Sequence, residues 1–279
     1  MSQVAERVLV VQADDFGMCP AVTDGILEAH RAGVVTQASV MVPAPDANRA
    51  MWLARKHGLP LGAHLVLACE WEGLRYYPLT RADTLRSPDG AYLPGPPELR
   101  AADADPEEVH AELCEQLRVM VAAGLVPRHC ESHVGVFDPH ILADVSAQWG
   151  IPCRDEVPAP GIPMAVDSVW HLSTRPEGSK MDDLLGHLST LPPGTHMVVA
   201  HPAADRPELD MLTDSGSRRW KWARPIRTSD LATLLDPRFL RACASWGITL
   251  APLPTARSEQ SGFSTEQTEN RERKSPICS

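Results

Sequence analysis

The sequence predicts an α/β protein, a deformed (β/α) barrel with long loops at the C-terminal face of its strands. Three observations predict it. Short apolar runs alternate with stretches of helical spacing, the pattern of parallel strands joined by right-handed crossovers. About six or seven such strand-helix units can be counted, near the eight of a TIM-like barrel. The residues with chemistry to offer, Asp14, Asp15, His64, His133 and His201, fall at or near strand ends, where such barrels carry their function. The 279 residues suit a single domain over 1–254. A polar tail, 255–279, with few apolar residues reads as disordered.

The first strand carries the stretch around which the chain is organised. The apolar run Val8-Leu9-Val10-Val11 leads to Asp14 and Asp15, and Phe16-Gly17 turns the chain. A short apolar run bounded by a turn reads as a buried strand. Adjacent carboxylates in a low dielectric repel each other, and a cation nearby relieves them. One Asp could then bind a metal while the other stays free as a base. The competing reading is that one of them caps the next helix; the pair alone does not decide.

Ala21 to Ala32 has helical spacing, with Pro20 in its first turn and Gly33 as its stop. Val34 to Val42 reads as the second strand, broken by Pro43 and Pro45. Asp46 opens a helix running to His57. Leu59 to Leu67 is a third strand with His64 inside it. Ala68 to Asp105 reads as an insertion rich in turn residues, and loops of that length are usually functional. Its aromatics, Trp71, Tyr76, Tyr77 and Tyr92, either stack on a sugar face or pack the loop down; packing is slightly favoured.

Pro106 to Ala123 is a long amphipathic helix with Val109, Leu113, Leu117, Met120 and Val121 on one face. Glu107 and Glu108 suit its first turn, and Gly124 ends it. His129 to Val136 is a strand with His133 near its end. Pro139 to Trp149 is helical, and Ile151 to Arg154 is a short strand. A Pro-rich loop follows over Asp155 to Pro163. Lys180 to Leu191 is a helix, and the strand Thr195 to Ala200 delivers His201. A second long loop covers Ala203 to Arg227. Helices at Thr228–Leu235 and Pro237–Trp246 and a last strand, Ile248 to Ala251, complete the chain.

Composition excludes several classes. A formal charge of −10 argues against binding to nucleic-acid phosphates. No apolar run reaches the roughly 18 residues of a membrane span. The first residues lack an apolar signal region, and seven cysteines without a CxxC pair read as reduced thiols. Both point to the cytoplasm. A homo-oligomer is left open.

One Asp and two His ligands make a site for Zn²⁺ or another divalent ion with positions left for water and substrate. Such an ion lowers the pKa of its water and polarises a carbonyl. The remaining Asp can take the water's proton, and a His opposite can protonate the leaving group. That set hydrolyses an amide or ester. Each histidine also has a plain alternative: His64 as a satisfied core residue, His201 as a loop residue. Glu131, two residues before His133, is either an outer acceptor for a ligand histidine or an ordinary ion-pair partner. His30, His57, His110, His129, His140, His171, His187 and His196 read as surface or packing residues.

Taken together, ADDFG at 13–17, GILEAHRAGVVTQASVMV at 25–42, LGAHLVL at 61–67, ESHVG at 131–135 and AHPA at 200–203 resemble the YdjC-like carbohydrate deacetylases, also called the ChbG/HpnK family. The segment from Glu208 to Pro237 is similar too. The resemblance implies a deformed barrel that removes acetyl groups from N-acetylated sugars, such as chitooligosaccharides, with one divalent metal, Mg²⁺ or Zn²⁺. By position it implies Asp15, His64 and His133 as metal ligands, Asp14 as general base and His201 as acid or oxyanion partner. Arg154 then contacts substrate or orients Asp14.

The chain departs from the family pattern at Val134-Gly135-Val136, where histidines are common, at Glu131, where Asp is common, and at Val66, where a polar residue is common. Cys19 near the site is read as space-filling. Rival readings are a metal-dependent phosphoesterase or other amidohydrolase, for which Arg154 and the Arg218-Arg219-Lys221 cluster would supply the cations, and a non-catalytic saccharide-binding barrel.

Overall fold

The computed structural model describes residues 6–135, 137–154, 165–213 and 223–255. The expected Pro-rich loop at 155–163, the Arg218-Arg219-Lys221 cluster and the tail from 256 lie outside them.

The strands are β1 (Arg7–Phe16), β2 (Gln37–Val40), β3 (Leu61–Leu65), β4 (Cys130–Ser132), β5 (Ser168–His171), β6 (Gly194–Ala200) and β7 (Ile248–Leu250). All pairings among them are parallel. Their order is β4-β3-β2-β1-β6-β5, and β7 also pairs with β1. The sheet curls into a half-barrel with helices outside, a deformed (β/α) barrel. One edge of β1 is shared: β7 pairs with Arg7–Leu9, and β2 takes over from Gln12. β2 starts too late to cover the beginning of β1, and β7 fills that gap.

The helices are α1 (Pro20–Arg31), α2 (Ala47–His57), α3 (Pro96–Ala101), α4 (Pro106–Ala122), α5 (Pro139–Trp149), α6 (Lys180–Ser189), α7 (Arg224–Leu235) and α8 (Pro237–Ser245). Asp105, Asp138 and Asp236 cap α4, α5 and α8 by accepting from backbone N–H groups. By contrast, Asp46 stands at the N-cap of α2 without such a bond.

Several expectations need correction. The second strand is shorter than expected, because Val34 to Thr36 form the approach to it. Ile151–Arg154 makes only an isolated bridge, Cys130 to Cys153. β5 and α3 were not foreseen; α3 lies inside the insertion, which is thus partly helical. Val121, in the last turn of α4, is 44% exposed and is not part of the buried face formed by Val109, Leu113, Leu117 and Met120.

Strand alternation divides the core. Leu9, Val11 and Ala13 face the helices within a cluster that reaches to Ile248. Val10 faces the barrel interior with Met197, Val199 and Leu253, a small apolar floor. Gln12 and Asp14 follow Val10 on that inner face. Gln37 donates to Gln12 Oε1 at 2.8 Å and accepts from Leu253 N at 2.8 Å. The barrel interior therefore passes from apolar floor to amide layer to charged rim.

Candidate active site

The charged rim is a cavity of about 350 Å³ at the C-terminal ends of the strands. Asp14, Asp15, His64, His133, Arg154 and His201 all line it. The sequence pattern thus names six residues that the fold brings together.

Asp14 and Asp15 reach the same cavity for a reason local to β1. Neighbouring strand residues normally point to opposite faces. Between Ala13 and Phe16 the β1–β2 register slips, since Ala13 pairs with Ala38 but Phe16 with Val40. Asp15 takes a left-handed conformation there, with φ 66°. This bulge turns Asp15 back towards the face that alternation gives Asp14. A non-glycine residue in that region costs of order 1 kcal/mol or more and persists where its surroundings hold it. The holding contact is Arg227, whose Nη2 lies 2.7 Å from Asp15 Oδ2.

The other oxygen, Asp15 Oδ1, is buried and receives no hydrogen bond among the described residues. It lies 3.2 Å from His64 Nε2 and 3.3 Å from His133 Nδ1, and those two nitrogens are 3.1 Å apart. Three donor atoms at such separations fit around one divalent ion bound at about 2.0–2.2 Å. A second group, Asp14, His64 and Glu131, also gathers metal-ligand atoms. There, however, Arg154 and other donors already occupy the Asp14 oxygens.

Each histidine is oriented by a carboxylate behind it. His64 Nδ1 lies 3.0 Å from Glu131 Oε1, a consequence of the β3–β4 register that pairs the two residues. His133 Nε2 lies 2.9 Å from Glu70 Oε2, and the Tyr76 hydroxyl donates to that same oxygen at 2.6 Å. A carboxylate on the far ring nitrogen fixes the orientation of a metal-bound imidazole. Glu131 is therefore the outer acceptor of His64 rather than of His133. His129, expected as a packing residue, is fully buried and sits 2.8 Å from Glu131 Oε2.

Gly62 makes the room for it: a Cβ there would lie 2.1 Å from His129 Cε1. Gly62→Ala is expected to destabilise the fold by about 1–3 kcal/mol, the range for overpacking, and to disturb the Glu131–His64 contact. A lowered Tm with weakened metal binding would show it.

The charges explain the titration behaviour. Asp14, Asp15, Glu70 and Glu131 are four buried carboxylates, and Arg154 and Arg227 are two buried guanidinium groups. A divalent ion cancels the excess, or protons on the histidines do. Burial disfavours charged His64, yet the Asp15 and Glu131 carboxylates against its two ring nitrogens outweigh this and push it up to about 10. His133 is likewise raised: burial opposes the charge, and Glu70 and Asp15 overcome it. Burial would raise Asp14, but Arg154 and His64 hold it down at about 2. Arg154 Nη1 contacts both Asp14 oxygens, at 2.8 and 2.9 Å. Oδ1 also accepts from Gln12 at 3.0 Å and Ser39 at 3.1 Å. Arg154 thus lies against Asp14.

His201 stands across from this cluster, after β6. Its Nδ1 lies 2.8 Å from Ser173 Oγ. Burial lowers its basicity, with Asp14 and Asp15 pulling the other way. Gly25 of α1 allows the chain after His201 to pass close, since a Cβ there would lie 2.5 Å from Ala204 N. Sequence reading missed Glu70, Arg227, Ser173, Asp230 and Lys180. Arg227 and Asp230 are buried residues of α7, whose mixed sequence RPIRTSDLATLL carries no signal that sets these two apart. His171, set aside as surface or packing, lines the cavity. Trp71, Tyr76 and Tyr92 are buried and pack the insertion down, while Tyr77 is exposed. Cys19 is buried outside the cavity lining, as a space-filler, and burial raises its thiol pKa.

The chain is similar to several known proteins. A carbohydrate deacetylase of Geobacillus stearothermophilus is 30% identical over 250 residues, 88% of this chain and 96% of that one. A carbohydrate deacetylase of Thermus thermophilus is 30% identical over 260 residues, 86% of this chain and 90% of that one. The solved structure of a candidate cellobiose-phosphate cleavage protein from Enterococcus faecalis V583 superposes with a TM-score of 0.74 at 22% identity. It covers 88% of this chain and 97% of that one, a likeness of fold. The model of the YdjC-like protein family matches residues 8–245, and the chain belongs to that family.

Proposed function

We propose that this chain is a metal-dependent carbohydrate deacetylase, cleaving the acetamide of an N-acetylated sugar of the chitooligosaccharide or glycolipid type. The observation that carries the reading is the triangle of Asp15 Oδ1, His64 Nε2 and His133 Nδ1 beside a separately held carboxylate, Asp14. The names of the two relatives supply the substrate class.

Asp15, His64 and His133 would hold Mg²⁺ or Zn²⁺. Such an ion, when bound, supplies a Lewis acid to the acetyl carbonyl and acidifies water. Asp14 is the proton acceptor. Its low pKa keeps it ionised throughout the working range, and Oδ2 contacts only Arg154 among the described residues. Oδ2 therefore keeps a lone pair for the attacking water's proton. Arg154 and Ser39 fix the carboxylate so that little reorganisation is needed. His201, across the cavity, is placed to take up a proton and pass it to the departing amine. The phosphoesterase alternative would require free cations in the cavity, whereas Arg154 and Arg227 are both paired with carboxylates.

The free cysteines of the described residues fit a reducing compartment. We place the protein in the cytoplasm.

The test is acetate release from N-acetylated mono- and oligosaccharides by chelator-treated protein reconstituted with Zn²⁺, Mg²⁺, Mn²⁺ or Co²⁺. Acetate formed only with metal supports the reading; none with any metal overturns it. Metal loading itself has a predicted signature. His64 and His133, raised in the metal-free site, must lose their protons to bind an ion. Loading near pH 7 should therefore release protons, and affinity should rise up to about tenfold per pH unit for each proton released. Calorimetry in buffers of different ionisation enthalpy reads the proton count. A pH-independent affinity would contradict it.

A further inference from the structure

We propose that Ser173, Asp230 and Lys180 are positioning residues that hold His201 in one tautomer, with Nδ1–H turned into the fold and the lone pair on Nε2. Its effect on turnover rests on the deacetylase reading; its structural part does not.

The argument is a count of hydrogens. Lys180, at the start of α6, is fully buried. An ammonium group has three donors and no acceptor. All three find partners: Ile226 O at 3.1 Å, Ser229 Oγ at 2.7 Å and Asp230 Oδ1. Asp230, on α7, is fully buried too. Paired with an ammonium it is a carboxylate, which only accepts. Its second oxygen, Oδ2, accepts from the Ser173 hydroxyl and, at 2.8 Å, from the backbone N–H of His201.

A serine has a single hydroxyl hydrogen, and Asp230 takes it. Ser173 Oγ can then only accept from His201 Nδ1, 2.8 Å away. The hydrogen between them must sit on Nδ1. Neutral His201 consequently carries its lone pair on Nε2, and any proton it exchanges with a substrate passes through that atom. One carboxylate fixes both the main chain of His201 and, through Ser173, its ring. Without the hydroxyl, nothing in this chain of bonds prevents the opposite tautomer, whose Nε2 already carries a hydrogen and cannot take another.

The test uses the full-length chain loaded with Mg²⁺. Two-bond ¹H–¹⁵N correlation spectra report the tautomer of each imidazole, with the His201 signal assigned by its loss in His201→Gln. The expected result is the Nδ1–H form in the parent protein, a mixed or Nε2–H form in Ser173→Ala, and return of the Nδ1–H form in Ser173→Thr. In parallel, kcat on an N-acetylated oligosaccharide should fall about 10–100-fold in Ser173→Ala, with KM and metal affinity within about twofold of the parent. Ser173→Thr should recover most of the loss.

An Nε2–H ring in the parent, or an unchanged tautomer in Ser173→Ala, overturns the positioning role. A changed tautomer with unchanged kcat overturns its importance for turnover. If the parent releases no acetate at all, the deacetylase reading fails, and the spectra still decide the structural claim.

Discussion

Asp14→Asn is expected to lower kcat for acetate release by about 10²–10⁴-fold, the usual contribution of a positioned general base, while the protein still binds its metal. The substitution keeps the shape of the side chain and removes its capacity to take a proton. Arg154 stays anchored, because Glu131 Oε1 lies 3.8 Å from its Nη1 in addition to Asp14. The three atoms proposed to hold the ion belong to Asp15, His64 and His133 and are untouched. Metal affinity measured by calorimetry should therefore change far less than turnover. Asp15→Asn should behave in the opposite way, losing the ion together with activity. If Asp14→Asn kept turnover within about tenfold of the parent, the base would have to be another group.

Lys180→Met should destabilise the fold by about 3–5 kcal/mol, the cost of leaving one partner of a buried ion pair uncompensated. Both Lys180 and Asp230 have no exposed surface. Asp230 would then keep its bonds to Ser173 and His201 N with no cation beside it. The double variant Lys180→Met/Asp230→Asn removes the charge as well and should regain much of the lost stability. It should not regain turnover, because an amide in place of Asp230 no longer dictates where the Ser173 hydrogen goes. Urea unfolding of the parent, the single variant and the double variant separates the two effects. Equal stability of parent and Lys180→Met would show that the pair is not compensating a buried charge.

The fold was legible where periodicity was strong. The helix Pro139–Trp149 and the run from Pro106 show caps and stops in the sequence, and the structure has them there. Strand lengths were less legible, because apolar residues such as Val34 and Val35 are buried on the approach to β2 without joining the ladder. In the candidate site, residues carried at the ends of strands could be placed in advance, since a parallel barrel brings those ends together. Glu70 could not: it rides on an insertion whose path depends on the packing of Trp71, Tyr76 and Tyr92. Lys180 enters the sequence reading only as the first residue of a helix; long cationic side chains are mostly exposed. Only its three acceptors, brought in by α7, make its burial tolerable.

The pairing of β7 with β1 bears on how the molecule is made. Arg7 lies in register with Ile248, the start of the last strand. The beginning of the central strand therefore waits, on one edge, for nearly the whole chain to be synthesised. Leu253, just beyond that strand, also supplies the N–H that holds Gln37 beneath Asp14. Contacts so distant along the sequence slow folding and leave an unpaired edge in the nascent chain. Chains cut short before residue 248 should accumulate as aggregation-prone, half-built sheets, with the cavity at the strand ends among the last parts of the molecule to take shape.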